Sequence, residues 1–360
     1  MNDILKKYDL WLSDDGPAAL VIRENLVPVE GPDGVLFPAT FAASEDKTFK
    51  GGYNIDEFPD GTNICLIDSV GSQANRIEPL FALKKYAVLV PQVVVKAGEK
   101  KVNLLDAGHR AGDAIVRCSA LQQDLQDAFK AVQKGDATPL AKIAPTSLVF
   151  GAWDSRDTQA KLPRLIASTI RAYGVRKLTR SAQYVPAAEY VEMGMLEEPA
   201  DKKTKDSYAE RGFVHVPASG SHGGVIATGG IRRDATLHLA ALRLLRAGES
   251  EEETLKLRRY VLGLALTAFT CPSAGYLRQG CNLVLDLNKP SEFVEVHNDG
   301  RREKATMKHD DALKYALETA KAFSVGENRS VEFDKERAKA DVASDKDGKK
   351  QKSARNKQKT

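Results

Sequence analysis

The sequence predicts an α+β fold built on an antiparallel sheet. Three observations lead there. Short apolar runs, several of them alternating with polar residues, have the length and period of strands. Other stretches repeat apolar residues every three or four positions, as helices do. The two kinds of segment interleave without a regular strand–helix–strand repeat. With 360 residues and 42% hydrophobic content, the chain is long enough and apolar enough for a substantial core.

The elements follow in order. Ala19–Val27 is the first predicted strand, and Val29 to Thr62, dense in Gly and Pro, is a long connection. Tyr86–Val95 is the next strand; Pro91 has no amide to donate, which puts that strand at an edge or breaks it there. Ser119 to Lys134 reads as a helix, Ser147–Trp153 as a strand and Leu162 to Tyr173 as a helix. Val185 to Gly224 is polar, carries Pro186, Pro199 and Pro217, and reads as an insertion. Strands are expected at Phe213–Val216, Val225–Ile231 and Cys281–Leu287, the last with Leu283, Leu285 and Leu287 on one face. Asp234 is expected to cap a helix that buries Leu237, Ala240, Ala241, Leu244 and Leu245 and stops at Gly248. Thr254 to Phe269 is a further helix. Its apolar run, Tyr260 to Phe269, is about half of what a bilayer crossing needs, so it reads as core. Asp310 or Asp311 caps a last helix with Leu313, Ala316, Leu317, Ala320 and Phe323 as its stripe, ended by Gly326. A chain of 360 residues makes one large domain or two ordinary ones.

Charge is unevenly placed. From Asp334 to Thr360 ten Lys or Arg meet five Asp or Glu, and the other 333 residues sum to −1. That tail has almost no large apolar residue, Val342 apart, and is expected to be disordered because it buries too little to offset ordering entropy. A nucleic-acid site in the body must then be a local stripe of arginines gathered by folding. The four cysteines, Cys65, Cys118, Cys271 and Cys281, have neither CxxC nor metal-ligand spacing, which suits reduced, buried thiols in a cytoplasmic protein. The first residues lack the apolar stretch of a signal peptide.

One segment stands out chemically. Ser69-Val70-Gly71-Ser72-Gln73-Ala74-Asn75-Arg76-Ile77-Glu78-Pro79 packs small residues, two amides and an arginine into a turn that enters an apolar stretch. Glycine and serine let a backbone approach a ligand, and amides and arginine donate to phosphate and sugar oxygens. Leu148 to Arg156, with Trp153, Ser155 and Arg156, and Gly229 to Thr236, with Arg232 and Arg233, share that character. These three segments, with Phe37–Ala42, Asp106–Asp113 and Arg180–Tyr184 in the same order, resemble the backbone subunit of the type I-G (once I-U) CRISPR surveillance complex, or Cascade, a member of the RAMP superfamily. The resemblance covers roughly residues 18 to 330.

The resemblance implies a single domain over residues 1–333, a ferredoxin-like, RRM-related palm with helical insertions and a protruding thumb hairpin, placed at 185–224. It implies a non-catalytic, prokaryotic, cytoplasmic subunit that needs no cofactor and touches no membrane. Copies would line up in a helical filament along one CRISPR guide RNA (crRNA), beside other Cascade subunits, and leave the guide free to pair with a target DNA strand. Cutting would fall to a separate nuclease-helicase. Ser69, Gly71, Ser72, Gln73, Asn75, Arg76, Trp153, Ser155, Arg156, Arg180, Arg232 and Arg233 are the RNA-binding candidates it points to.

The residues themselves leave alternatives. Arg76 either grips phosphate or pairs with Glu78 or another acid. Arg232 and Arg233, being adjacent on an extended segment, cannot both face one ligand. Arg156, Arg164, Arg171, Arg176, Lys177 and Arg180 form a basic series that is either a binding stripe or a solvated face. Trp153 either stacks on a base or joins the core. Ser219-Gly220-Ser221-His222 lacks the geometry of a nucleophile elbow. Asp106, His109 and Asp113 are metal-capable types, which keeps a metal-dependent nuclease or hydrolase as the alternative function. Related subunits that cleave RNA use an acid in a loop; Asp201, Asp206 and Glu210 sit in no matching motif, so no ribonuclease activity is expected. A solitary RRM-like binder is disfavoured because no aromatic RNP signature is present.

Overall fold

In the computed structural model, which describes residues 3–46, 48–272 and 275–343, the chain is organised around strand β1 (Ala19–Pro28). Leu20, Ile22 and Leu26 are buried on one of its faces, while Arg23 and Asn25 lie on the other. The elements that follow are β2 (Ile55–Glu57), β3 (Asn63–Asp68), helices α1 (Val70–Ile77) and α2 (Gln122–Gln133), and β4 (Ile166–Tyr173). After them come β5 (Val175–Tyr184), α3 (Lys202–Glu210), β6 (Val216–Ala227), β7 (Ile231–His238) and α4 (Glu251–Phe269). The chain then makes β8 (Tyr276–Arg278), β9 (Cys281–Leu285), β10 (Glu292–Val296), β11 (Arg302–Lys304) and α5 (His309–Phe323). The fold is α+β with an antiparallel sheet.

The nine-stranded sheet runs β8-β9-β1-β7-β4-β3-β2. β1 is long enough to serve two neighbours on one side. Its first half, Ala19 to Arg23, pairs with Val296 to Glu292 of β10, and its end, Leu26 to Pro28, pairs with Leu285 to Leu283 of β9. On the other side Leu20 faces Leu237 and Ile22 faces Ala235 of β7. The face bearing Leu20, Ile22, Ile166, Ala235 and Leu237 packs under α4 and α5 in the main core. The Tyr260 ring of α4 stacks on Phe323 of α5 at 4.6 Å. A side chain at Gly263 would lie 2.6 Å from Thr319 Oγ1 and 2.9 Å from Ala316 Cα, so glycine is what lets the two helices touch. A second, smaller core of Leu26, Cys65, Ile67, Ile170, Ala172 and Ile231 fills the far end of the same face.

Asp68, at the end of β3 and 1% exposed, ties these parts together. Its carboxylate accepts from Ser72 Oγ at 2.8 Å, Gln73 Nε2 at 2.7 Å and Arg76 Nε at 3.1 Å, all on α1. It also accepts from Arg278 Nη2 at 2.8 Å, and Arg278 Nη1 reaches the Ile67 carbonyl at 3.0 Å. Arg278 belongs to β8, five places from β3 in the sheet, so these bonds require the sheet to curl toward itself. Beyond the sheet, β5 and β6 form a separate two-stranded hairpin. Its tip carries α3, capped by Asp201 accepting from Thr204 N at 2.7 Å, and a small aromatic cluster in which Phe213 meets Tyr190 at 5.3 Å and Tyr208 at 6.2 Å. The insertion expected at 185–224 is therefore the tip plus part of the returning arm, and the hairpin begins earlier, at Val175.

Several expectations are corrected. The helix predicted for Leu162 to Tyr173 is strand β4, with Ile166, Ser168, Ile170 and Ala172 buried; Ile166 and Ile170 fit a period of two as well as four. The helix predicted after Asp234 is mostly strand β7, and only Leu239–Leu242 is helical. The strand predicted for Ser147–Trp153 is a short helix, Thr146–Phe150, broken by Gly151 at φ 78°, before a two-residue strand, Ala152–Trp153. Pro91 precedes strand Val93–Ala97, and a 3-10 turn, Ala87–Leu89, comes before it. Of Leu283, Leu285 and Leu287, expected to share one face, Leu283 is buried while Leu285 and Leu287 are exposed. The tail expected to be disordered from Asp334 begins with a helix over 335–343, tethered by Asp334 N to the Cys118 carbonyl at 2.8 Å, Arg337 Nη1 to the Ser119 carbonyl at 2.7 Å and Arg117 to Asp341 at 2.9 Å. Polar tethers rather than apolar burial hold it, which composition does not reveal; residues 344–360 lie outside the described residues.

Removing the Asp68 carboxylate leaves two guanidinium groups and an amide without their shared acceptor. Asp68→Ala is expected to cost about 3–5 kcal/mol in urea denaturation. A loss under about 1 kcal/mol would show that the curl of the sheet does not depend on it.

Candidate nucleic-acid interface

Three sequence-distant segments meet beside α1. The loop around Gly108–Arg110, the turn at Gly151–Trp153 and the strand pair that returns through Lys161–Arg164 line a cleft of about 390 Å³. Arg110 is the joint. It has φ 54°, in the left-handed region, and is buried. Its guanidinium gives Nε to Glu78 Oε2 at 2.5 Å, Nη1 to the Gly151 carbonyl at 3.3 Å and Nη2 to Asn75 Oδ1 at 3.2 Å, and it lies 5.4 Å from the Phe150 ring centroid. One buried cation therefore holds the loop, the turn and α1 together. Burial pushes the Glu78 carboxyl up to about 7, with the Arg110 charge opposing.

The cleft wall is cationic and aromatic. Trp153 is 58% exposed between buried Ala152 and Asp154, as strand alternation demands. Trp153 pairs with Lys161, whose Nζ sits 5.8 Å from the indole centroid. Asp154 fixes the intervening loop by accepting from Asp157 N, Thr158 N and Thr158 Oγ1, and the last of these bonds leads its carboxyl below the usual range against the cost of burial. Arg164 gives Nε to the Phe150 carbonyl at 3.1 Å. Among the described residues no carboxylate pairs with Lys161 or Arg164, and none lines the cleft. Desolvation, then the neighbouring Arg110 charge, pull Arg164 below the ordinary guanidinium value. A side chain at Gly151 would collide with Arg164 Cγ at 2.8 Å and the Leu162 carbonyl at 3.0 Å.

The sequence candidates divide into groups. Ser69 caps α1 by accepting from Ser72 N, and Gly71 lies under Arg164, with 3.9 Å from its Cβ position to Arg164 Nη2. Ser72, Gln73 and Arg76 give bonds to Asp68, and Gln73 also accepts from Ser168 Oγ at 3.0 Å. Asn75 spends its oxygen on Arg110, with its Nδ2 3.6 Å from the Cβ position of Gly108. Ser155 and Arg156 are exposed on the loop beyond Trp153, and Arg180 is exposed on the hairpin opposite Ser221. Arg232 and Arg233 point to opposite faces of β7. Arg233 is buried on Glu24 at 2.5 Å; Arg232 lies on the outer face, bonded to Asp234 at 2.9 Å and to the Tyr173 hydroxyl at 2.9 Å. The structure thus gathers Gly71, Asn75 and Trp153 at one cleft and leaves Arg180, Arg232 and Arg233 elsewhere. Sequence reasoning missed Lys161 as a wall residue and put Arg164 on a helix; the Gly151 break beside an apolar run was the signal for the turn that brings them in.

Asp106, His109 and Asp113 do not form a metal centre. Asp113 caps a short helix through Ile115 N at 3.1 Å and accepts from His109 N at 3.3 Å. Among the described residues no three His, Cys, Asp or Glu are placed to hold a metal ion. No described helix is long and apolar enough to cross a membrane.

Residues 20–177 match the family model of CRISPR-associated protein GSU0053. The match supports a CRISPR-associated protein. It spans under half of the chain, yet it takes in β1, Asp68, α1, Arg110, Trp153 and Arg164. No curated protein matches the chain.

Because the folded Glu78 carboxyl titrates near 7 against 4.5 for an ordinary one, the folded state holds its proton more tightly over that interval. Stability from this group is full below about 4.5, falls as pH rises and levels off above about 7. Glu78→Gln is expected to remove that slope, a difference of about 3 kcal/mol at most, in urea midpoints taken from pH 4.5 to 7.5. Parallel curves for the two proteins would refute the assignment.

Proposed function

We propose that the protein is the guide-RNA-binding backbone subunit of a type I-G CRISPR surveillance complex, a RAMP-superfamily palm without a catalytic step of its own. The observation that carries the reading is the acid-free cleft where Lys161, Arg164 and an exposed Trp153 converge inside the span matched by the CRISPR-associated family. Unpaired cations with a flat aromatic wall suit a ribose-phosphate strand and its bases. The strand order supports a ferredoxin-like palm. Of the four strands β1, β4, β7 and β9/β10, the fourth lies beside the first, then the third, then the second, all antiparallel to their neighbours.

In this reading the palm neutralises guide phosphates, and the β5–β6 hairpin is the thumb that crosses the RNA toward the next copy. Copies stacked head to tail make an open, filament-forming arrangement. The guide, held in order, pairs with a target DNA strand at reduced entropic cost. Base pairing supplies sequence recognition while the protein supplies charge and shape. Other Cascade subunits complete the complex, and a separate nuclease-helicase cuts the DNA. The nuclease alternative has no supporting observation, since Asp113 is a helix cap.

Purification with co-expressed partners is expected to yield RNA of one discrete length, matching a repeat–spacer unit. Arg164→Ala is expected to weaken RNA binding regardless of sequence and to lower the salt slope by about one unit. Heterogeneous RNA, or none, argues against the backbone role; an unchanged slope removes the cleft from the RNA path.

A further inference from the structure

The cleft has more shape than phosphate binding requires. Its volume, about 390 Å³, falls in the range of about 300–1,000 Å³ that small-molecule sites occupy, and it is too small for a duplex or a run of stacked bases. One wall is the indole of Trp153, held from behind by buried Ala152 and Asp154 and positioned by the pairing with Lys161. A large aromatic ring left 58% exposed on a braced two-residue strand forgoes its own burial, and a planar partner would recover it. The site also offers donors. Arg164 is oriented by the Phe150 carbonyl, and the Asn75 amide nitrogen lies toward Gly108, its oxygen being taken by Arg110. No acidic side chain lines the space. An exposed indole, Lys161 beside it and Arg164 in the same cleft match the two ends of a nucleotide.

We propose that the cleft takes a single unstacked nucleotide, its base against Trp153 and its phosphate between Lys161 and Arg164. This rests on the RNA-binding reading and sharpens it, because a backbone grip alone needs no base. The base is not identified by hydrogen bonds here, since the indole face accepts any ring, so the site is tolerant of sequence. Gly151 keeps the space open: a side chain there would push Arg164 out of place.

The chain has two tryptophans, Trp153 and Trp11, and Trp11 is buried and stacked on Tyr8 at 4.7 Å. Fluorescence of the nucleic-acid-free full chain therefore reports on Trp153 against a shielded background. AMP and UMP are expected to quench emission to similar extents, ribose 5-phosphate is expected to leave it unchanged, and Trp153→Leu is expected to abolish the quenching. The same variant is expected to bind single-stranded RNA about 5- to 150-fold more weakly, the loss of one base–aromatic stack. Emission unmoved by AMP and UMP, together with equal RNA affinity for Trp153→Leu and the unaltered protein, would overturn the nucleotide proposal and leave the RNA-binding reading standing. Failure to bind RNA at all would overturn both. Should Trp153→Leu misfold, quenching of the unaltered protein by AMP decides the matter alone.

Discussion

One buried carboxylate is the constraint on which the rest of the molecule depends. Asp68 ends β3 in the small core and collects donors from α1 and from β8 at the distant edge of the sheet. A carboxylate out of water is costly unless its lone pairs are filled, and only this curled arrangement brings two arginines, an amide and a hydroxyl to it together. Apolar packing alone would tolerate other curvatures of a nine-stranded sheet; the directional bonds to Asp68 select one. They also set where α1 begins, and hence where Gly71 lies relative to Arg164.

Two arginines that line the cleft illustrate opposite uses of one side chain. Arg110 is paired with Glu78 and uses its remaining nitrogens on the Gly151 carbonyl and Asn75, which makes it a structural joint. Arg164 is exposed, has only the Phe150 carbonyl as a hydrogen-bond partner among the described residues, and is held below the usual guanidinium value by desolvation and by Arg110. Folding has therefore placed a cation where its own surroundings do not satisfy it. Such a group contributes little to stability and is suited to an anionic ligand.

The outer face of the sheet differs in kind. Arg171 and Arg232 oppose each other across β4 and β7, an arrangement that repels unless the charges are otherwise engaged. Arg232 is engaged by Asp234 and stacks 5.0 Å from the Tyr173 centroid, and Arg171 bonds Thr169 Oγ1 at 2.7 Å. Arg23 also reaches Asp234, at 3.4 Å. Much of this positive charge is internally compensated, whereas Lys161 and Arg164 of the cleft meet no carboxylate among the described residues.

Local pattern alone determined a good part of this. The stripe from Tyr260 to Phe269, the alternation of Ala19–Val27 and the helix carrying Leu313, Ala316, Ala320 and Phe323 were legible because their periods are set by short-range geometry. So was the rule that Arg232 and Arg233 must part company. The segments at 69–79, 148–156 and 229–236 were recognisable as chemically unusual, but nothing local showed that the first two meet and the third lies elsewhere. Tertiary structure decided the rest. Ile166 and Ile170 satisfy both helix and strand periods, and pairing with β7 chose the strand. Whether Arg76 meets an acid depended on Asp68, eight residues earlier and fixed by a bond from Arg278 more than two hundred residues away. The partners of a charged side chain are set by which distant segments share a wall, and that follows from the global minimum of burial and hydrogen bonding, which no short window of residues contains.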